Sequence, residues 1–170
     1  MKEVIFRGKK ISAGIGHEVE IKGNKISPDI MKVADGVSVA AINDKNEIYI
    51  AKQYRFAAKR VTYELPGGGV DKGENPLDAA KRELEEEIGV QADKIDYLFK
   101  AFPSPAFDVH TVYAYFATGI TDTQQNLDED EDIHIVKMDF EEFCEKVEKE
   151  EVDTDMVTIA VLNKIKNIIK

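Results

Sequence analysis

Apolar residues alternate with polar residues, or form short continuous runs, along the first two thirds of the chain. The segments with this strand-like pattern are VIFRG, HEVEIKG, VSVAAIN, EIYIAKQYR and VTYEL. Three further segments of the same kind follow later, IDYLFKAF, HTVYAYFATGI and IHIVKMDF. The pattern predicts a protein rich in β-structure, with INDKNE as a hairpin turn between two strands.

Three segments show a helical spacing of apolar residues instead. Residues 76–88 are bounded by good helix signals, because Asn75 suits the N-cap, Pro76 suits the first helical position and Gly89 suits the position after the last turn. Near the C-terminus, FEEFCEKVEKE and MVTIAVLNKIKNIIK each place apolar residues on one face. Strands with a few helices, in no repeating βαβ order, predict an α/β (α+β) fold with a mixed or antiparallel sheet flanked by helices.

The helix predicted over residues 76–88 carries a concentration of carboxylates beside its apolar stripe. Glu83, Glu86 and Glu87 lie on one arc next to that stripe, whereas Glu85 lies on its other side. Like charges this close repel each other, and Mg²⁺ would relieve the repulsion because it binds one or two carboxylates together with waters and substrate phosphates. The preceding loop, GGGVDKGE, is rich in glycine, so its backbone can approach a metal, and the Gly67 carbonyl is a candidate ligand. The alternative is an acidic face that is merely solvated.

Composition and charge narrow the class of protein. The 170 residues are 43% hydrophobic and 33% charged, as in a soluble globular protein, and the length favours one domain. No apolar run approaches the roughly 20 residues of a membrane span. The N-terminal segment lacks a secretory signal and Cys144 is the single cysteine, so we expect a cytoplasmic protein. The net charge of −10 disfavours nucleic acid and membrane surfaces as partners.

The segment from Gly68 to Val90 resembles the Nudix box, G-x5-E-x7-R-E-(apolar)-x-E-E-x-G-(apolar). A chance match at seven fixed residues is on the order of 10⁻⁹ per start position, given ordinary residue usage. The matching positions are Gly68, Glu74, Arg82, Glu83, Leu84, Glu86, Glu87, Gly89 and Val90.

Further segments resemble the branch of the Nudix family that cleaves ADP-ribose and related nucleoside diphosphate sugars. QYR followed by ELPGG is similar to that branch's QYR…ELPAG, and Pro105 lies 15 residues after Val90, where the branch has a proline. LDEDEDIHIV resembles the acidic loop of these enzymes. The likeness runs from about Val33 to the C-terminus. The chain departs from the pattern at SPAFDVH, where the family commonly has SPGFSDE, so the substrate-facing loop is expected to differ.

The resemblance implies roles for the box residues. Glu83 and Glu87 would be the first metal ligands, together with the Gly67 carbonyl, and Glu86 would support them. Arg82 would hold the glutamates by charge-assisted hydrogen bonds. Glu86 and Arg82 therefore belong to the expected catalytic set, and Glu74 would help to position it.

The resemblance also implies roles for two acids of the acidic loop. Glu129 best matches the general base and Glu131 matches an accessory metal ligand. The neighbouring Asp128 and Asp130 leave the register open by one or two residues. The alternative for the whole acidic run is a solvated surface loop.

Substrate contacts are expected from Arg55, Gln53, Glu64 and Pro105, again by the resemblance. Arg55 would contact the anionic or ribose part of the substrate, and a structural salt bridge is the alternative role for this residue. The implied reaction is the Mg²⁺-dependent hydrolysis of ADP-ribose to AMP and ribose 5-phosphate, with Mn²⁺ as an alternative metal. The other candidates are a different nucleoside diphosphate sugar or a dinucleotide as substrate, or a non-catalytic module that senses a nucleotide.

The resemblance further implies a Nudix-type α/β/α sandwich with a mixed sheet. Residues 1–35 are expected to form a small N-terminal β-sheet region, and residues 36–170 the Nudix hydrolase domain. A region of about 35 strand-rich residues is too short to hold a core of its own. Enzymes that this chain resembles are usually homodimers in which the N-terminal sheet reaches across to the partner and helps to form the substrate pocket, so the resemblance implies a homodimer here.

Overall fold

The computed structural model describes residues 2–8, 11–127 and 132–169. The strands are β1 (Glu3–Arg7), β2 (Ile11–Ile15), β3 (Val19–Ile21), β4 (Asn24–Ile26), β5 (Asp29–Val33), β6 (Gly36–Ala41), β7 (Glu47–Arg55), β8 (Arg60–Glu64), β9 (Val90–Ala101), β10 (Val112–Asp122) and β11 (Ile133–Asp139). The helices are α1 (Pro76–Ile88), α2 (Phe140–Glu148) and α3 (Met156–Ile165).

Two three-stranded sheets form the centre of the molecule. In the first, β10 lies between β6 and β9 and pairs with β6 in parallel and with β9 in antiparallel. In the second, β7 lies between β11 and β8, and both pairings are antiparallel. The first sheet therefore has the mixed parallel and antiparallel pairing that the sequence predicts.

Helices cover both faces of these sheets, which confirms the expected α/β/α sandwich. Alternate residues of a strand point to opposite faces. In β6, Val37 and Val39 pack with α1 on one face, whereas Ala40 packs with α2 and α3 on the other. The same alternation in β7 sends Tyr49 to the α1 side and Ile50 to the other. The core consequently has two layers, one on each side of the sheets.

The N-terminal strands form two smaller sheets. β1, β2 and β5 pair in antiparallel, and β3 pairs with β4 as a hairpin. β5 also contacts the loop before β10, because Met31 N donates to Phe107 O at 2.6 Å and Val109 N donates to Met31 O at 3.2 Å. The small N-terminal β-sheet expected from the sequence is therefore present. The division of the chain at residue 35 stays a prediction.

The alternation pattern did not predict three strands and the start of a fourth. β2 has the sequence ISAGI, whose small residues give no alternation, and its backbone hydrogen bonds to β1 and β5 decide its conformation. β4 and β5 were missed as well. β9 begins at Val90, five residues before the predicted Ile95, because its first residues pair with β10 although Gln91, Asp93 and Lys94 are polar and exposed. None of the helices within the described ranges is long and apolar enough to cross a membrane.

α1 begins and ends at the predicted residues. Asn75 Oδ1 accepts from Leu77 N at 2.9 Å, and Pro76 occupies the first helical position. Gly89 ends the helix in the left-handed conformation, with φ of 59°. Its N–H donates to Glu85 O at 3.1 Å, which satisfies one of the last helical carbonyls.

Gly89→Ala is expected to lower the melting temperature more than Gly73→Ala. Both glycines have positive φ, 59° and 88°, so alanine at either costs about 1–2 kcal/mol in backbone conformation. For a chain of this length that cost is a fall in Tm of roughly 2–8 °C. A Cβ at Gly89 would also lie 2.7 Å from Gln125 N, whereas a Cβ at Gly73 would meet open space. Differential scanning calorimetry measures both changes, and equal falls would contradict the close packing at Gly89.

Candidate active site

A cavity of about 850 Å³ lies between α1, the loop that precedes it and the start of β6. Charged side chains form much of its wall. Among them are the predicted site residues Arg55, Glu64, Arg82, Glu83, Glu86 and Glu87. The structure thus brings Glu83, Glu86 and Glu87 of the Nudix box into one cavity with Arg55 and Glu64 of the QYR…ELPGG pattern.

α1 presents its carboxylates to this cavity because its apolar stripe is fixed against the sheets. Leu84 and Ile88 are 1% and 2% exposed in that packing. The neighbouring Glu83 and Glu87 are held close to the sheet and are only 7% and 5% exposed, whereas the Glu86 side chain is 41% exposed. Two carboxylates this deeply buried need a charged or hydrogen-bonding partner, since charges are costly to remove from water.

The glycine-rich loop supplies one such partner. Its backbone pairs with β6, where Val37 N donates to Gly68 O and Val39 N donates to Pro66 O, each at 2.9 Å. Gly67 N instead donates to Glu87 Oε2 at 2.7 Å. A Cβ at Gly68 would overlap the Glu83 carboxylate, so glycine is required for this approach.

Arg82 holds three of the glutamates together. Its Nη1 donates to Glu83 Oε1 at 2.7 Å and to Glu86 Oε2 at 3.0 Å. Its Nε and Nη2 donate to the two oxygens of Glu74, each at 3.1 Å, and Nη2 also donates to Gly69 O at 2.8 Å. The pKa of Arg82 lies above its ordinary value. The hydrogen bond to Glu74 is the largest cause and raises the pKa, whereas burial lowers it by a smaller amount. Arg82 also lowers the pKa of Glu74.

Arg55 and Glu64 also line the cavity, where they form an ion pair. Arg55 Nε and Nη2 donate to Glu64 Oε1 and Oε2 at 3.0 and 2.5 Å. Thr62 Oγ1 donates to Glu64 Oε1 at 2.6 Å. Burial alone would raise the pKa of Glu64, but the hydrogen bonds from Arg55 and Thr62 outweigh it, and the pKa lies below its ordinary value. Glu64 therefore stays ionised and fixes the orientation of Arg55.

The donor set on α1 fits a hard divalent cation such as Mg²⁺. Among the described residues, no group of three or more Asp, Glu, His or Cys side chains is close enough to hold a metal by itself. Mg²⁺ does not require such a group, because it usually binds one or two carboxylates and completes its shell with waters and substrate phosphates. The buried pair Glu83 and Glu87, with the Gly67 backbone against it, has the number and type of donors that this coordination needs.

Other predicted site residues lie elsewhere. Gln53 is in β7, paired with Thr62 and Ile133, and is not among the described residues that line the cavity. Pro105 is in the exposed part of the loop before β10 and is also outside that lining. Their substrate contacts stay predictions. Glu129 and Glu131 lie outside the described residues.

The cavity wall also includes residues that we did not predict as site residues from the sequence. His110, Asn126 and Asp155 are examples. His110 lies in the SPAFDVH segment, and the departure of that segment from the family pattern could have identified it as a site residue. Asp155 precedes an apolar helical run, which is an N-cap signal, and it accepts from Val157 N at 2.6 Å. Nothing in the local sequence distinguishes Asn126.

Comparisons with known proteins agree with this geometry. A family model described as the NUDIX domain matches residues 32–158. ADP-ribose pyrophosphatase from Bacillus subtilis (strain 168) is 35% identical over 154 residues, which are 89% of this chain and 83% of that protein. Methanol dehydrogenase activator from Bacillus methanolicus is 30% identical over 162 residues, which are 94% of this chain and 87% of that protein.

A solved structure supports the fold independently. The crystal structure of an ADP compounds hydrolase superposes with a TM-score of 0.82, covers 97% of this chain and 89% of its own, and is 17% identical in sequence. At that identity the likeness bears on the fold alone. From the matched residues 32–158 and the relatives that cover most of its length, the chain belongs to the Nudix family.

Proposed function

We propose that the protein hydrolyses the diphosphate linkage of ADP-ribose to AMP and ribose 5-phosphate, with Mg²⁺ as cofactor and Mn²⁺ as an alternative. The observation that carries the proposal is the pair of buried carboxylates, Glu83 and Glu87, facing a cavity large enough for a nucleotide. The choice of ADP-ribose is supported by the relative named ADP-ribose pyrophosphatase, which matches 89% of the chain.

Glu83, Glu87 and the Gly67 carbonyl would hold the metal. When bound, it neutralises diphosphate charge, lowers the pKa of a bound water and stabilises the leaving phosphate. Arg82 keeps Glu83 and Glu86 oriented toward the cavity through its hydrogen bonds. The net charge of the chain is −10, so without a cation at these residues a diphosphate would be repelled.

Arg55 would bind an oxygen of the substrate. Its pair with Glu64 uses Nε and Nη2, so Nη1 is not engaged by that carboxylate. Glu64 is itself tied to Thr62, which keeps the guanidinium plane in one orientation. Arg55 can therefore form a structural salt bridge with Glu64 and still bind the substrate, because the ion pair positions its guanidinium for a ligand.

The chemical step that we propose is attack of water on one phosphorus. A P–O bond forms to the water oxygen, the bridging P–O bond breaks, and a carboxylate removes the water proton. Glu129 remains our proposal for that base, with Glu131 as an accessory metal ligand. A positioned carboxylate base contributes roughly 10²–10⁴-fold to the rate.

Product analysis tests the substrate. The full chain with Mg²⁺ is incubated with ADP-ribose, other nucleoside diphosphate sugars and dinucleotides. We expect AMP and ribose 5-phosphate from ADP-ribose, with the highest kcat/KM of the panel. A higher kcat/KM for another member would identify the alternative substrate class. Tight binding without any cleavage would instead favour the nucleotide-sensing alternative.

We further propose that the protein is a homodimer in which the N-terminal strands contact a second copy. All five residues of β1 are exposed, including the apolar Val4, Ile5 and Phe6, although a strand normally buries one face. Light scattering at micromolar concentration is expected to give twice the 19.1 kDa chain mass. Ile5→Asp is expected to reduce it to the monomer value. A monomeric mass for the unmodified chain would contradict the proposal.

The substrate that we propose is a small-molecule nucleoside diphosphate. The proposed reaction involves neither nucleic acid nor a membrane. We place the protein in the cytoplasm, where its single cysteine, Cys144, would stay reduced. Cys144 is buried, and burial raises its pKa to about 11, which makes it a poor nucleophile. Cell fractionation tests the location.

A further inference from the structure

The backbone between β8 and the glycine-rich loop passes from one central sheet to the other. β8 ends at Glu64, which pairs with β7 in the second sheet. The carbonyls of Pro66 and Gly68 accept from β6, which belongs to the first sheet. Leu65 is the residue at which the backbone crosses. It is only 5% exposed, so its N–H needs a hydrogen-bond partner within the protein.

The first turn of α3 supplies that partner. Leu65 N donates to Thr158 Oγ1 at 3.2 Å, and Thr158 is completely buried. The Thr158 hydroxyl donates its own proton to Asp155 Oδ2 at 2.7 Å, which leaves its lone pairs to accept from Leu65. Asp155 is fixed in turn, because its Oδ1 accepts from Val157 N at 2.6 Å and from Thr158 N at 3.0 Å. The N-cap of α3 therefore orients the hydroxyl toward the crossing.

The residues just before α3 also contact β8, but within the strand. Tyr63 N donates to Asp153 O at 2.8 Å, and Tyr63 O accepts from Thr154 Oγ1 at 2.6 Å. Tyr63 is also paired with Lys52 of β7. The strand pairing therefore holds Tyr63 in place whatever residue follows Asp153, whereas Leu65 lies beyond the end of β8 and depends on α3.

A displacement of Leu65 would reach the candidate metal ligands within two residues. Gly67 N donates to Glu87 Oε2 at 2.7 Å, and the Gly67 carbonyl is a proposed ligand. On the side facing β6 the loop is tightly packed, since a Cβ at Gly67 would overlap the Val37 carbonyl. The loop is thus held between β6 on one side and the Thr158 hydroxyl on the other.

We propose that Thr158 is a positioning residue for metal binding, and that its hydroxyl, acting through Leu65, holds Gly67 against Glu87. This inference rests on the function proposed above, in which Gly67 and Glu87 bind the metal. Thr158 is not among the described residues that line the cavity, so it acts on the site only through the backbone. A misplacement of about 1 Å at a reacting group can cost on the order of 10²-fold in rate.

Thr158→Val tests the proposal, with Thr158→Ser and Thr154→Val as its controls. Valine keeps the shape of the side chain but removes the acceptor for Leu65 N, whereas serine keeps the hydroxyl. Thr154→Val removes a hydroxyl that bonds to β8 two residues before the crossing.

Amide hydrogen exchange in the metal-free chain, followed by NMR, measures the position of the loop directly. In Thr158→Val we expect the Gly67 N–H to exchange about tenfold faster, which corresponds to the loss of one hydrogen bond. In Thr158→Ser and Thr154→Val its rate should stay within about threefold of the unmodified chain.

Steady-state kinetics with ADP-ribose gives the functional consequence. In Thr158→Val we expect the Mg²⁺ concentration for half-maximal activity to rise roughly tenfold, with a fall in kcat of similar size at saturating Mg²⁺. Thr158→Ser and Thr154→Val should stay within about threefold in both quantities. A loss of stability alone would lower the folded fraction and would leave the Mg²⁺ requirement unchanged.

The outcomes separate this inference from the function on which it rests. Equal Gly67 exchange in Thr158→Val and Thr154→Val would overturn the positioning role, and so would a serine variant as impaired as the valine variant. If Thr158→Val did not fold, the Leu65 N–H of the unmodified chain would decide. Exchange at the rate of an exposed amide would overturn the proposal, and protection equal to that of Gly67 would support it. If the unmodified chain cleaved no diphosphate, the proposed function would fail, while exchange in the metal-free chain would still report on the loop.

Discussion

Glu87→Gln is expected to lower the rate of ADP-ribose hydrolysis by roughly 10³-fold or more, because metal stabilisation of a transition state is worth several kcal/mol. Glu87 is 5% exposed and its Oε2 accepts from Gly67 N at 2.7 Å, so it lies where α1 contacts the glycine-rich loop. Glutamine keeps the size of the side chain but removes the negative charge that a cation requires. Steady-state kinetics over a range of Mg²⁺ concentrations measures the loss.

Glu85→Gln is the matched control for this prediction. Glu85 lies on the same helix but on the other side of its apolar stripe, where it is exposed and accepts from Gln91 Nε2 at 3.1 Å. We expect its kcat and KM to stay within about twofold of the unmodified chain, since exposed surface contacts contribute little. Equal activity of Glu87→Gln and Glu85→Gln would contradict the metal-binding role of the cavity face of α1.

Arg82→Ala is expected to reduce kcat/KM by roughly 10–100-fold, as is usual when a residue that orients metal ligands is removed. Arg82 donates to Glu83, Glu86 and Glu74 at once, so its removal leaves the buried Glu83 without that cation. The carboxylates would then repel each other and turn away from their positions at the cavity. Part of the loss should appear as a higher Mg²⁺ requirement, which a metal titration of activity measures.

Arg82→Lys and Lys81→Ala complete this test. Lysine keeps the charge but lacks the planar fork that reaches several carboxylates, so we expect Arg82→Lys to recover only part of the activity. Lys81 is the preceding helical residue and is exposed, with a contact to Asp78 at 3.5 Å. Lys81→Ala should therefore behave as the unmodified chain. Full activity of Arg82→Lys would show that charge alone suffices and that the fork geometry is not needed.

The parts of the fold that the sequence predicts are those in which local signals agree with tertiary packing. α1 has an N-cap, a proline at its first position, a glycine at its end and an apolar stripe, and the structure places it from Pro76 to Ile88. The strand β7 was predicted residue for residue because its apolar run is flanked by turn residues on one side and charges on the other. β2 shows the limit, since ISAGI has no alternation and becomes a strand only through its neighbours.

The candidate site likewise has a part that the sequence predicts and a part that it does not. The box fixes Arg82, Glu83 and Glu87 by their spacing along one helix, and helical geometry then brings them together. Thr158 has no such spacing. Its contact to Leu65 depends on how the first turn of α3 packs against the end of β8, and that packing is a tertiary property. Contacts made by single polar side chains to distant backbone groups leave no pattern in a sequence.

The central claim is that water attacks phosphorus in a diphosphate held at the carboxylates of α1. Hydrolysis of ADP-ribose in water enriched in ¹⁸O, followed by mass spectrometry of the products, tests it most directly. The account predicts one ¹⁸O atom in the phosphate group of either AMP or ribose 5-phosphate, in the unmodified chain and in Glu85→Gln, with the signal nearly lost in Glu87→Gln. Products without label in either phosphate group, or equal product from the two variants, would contradict it.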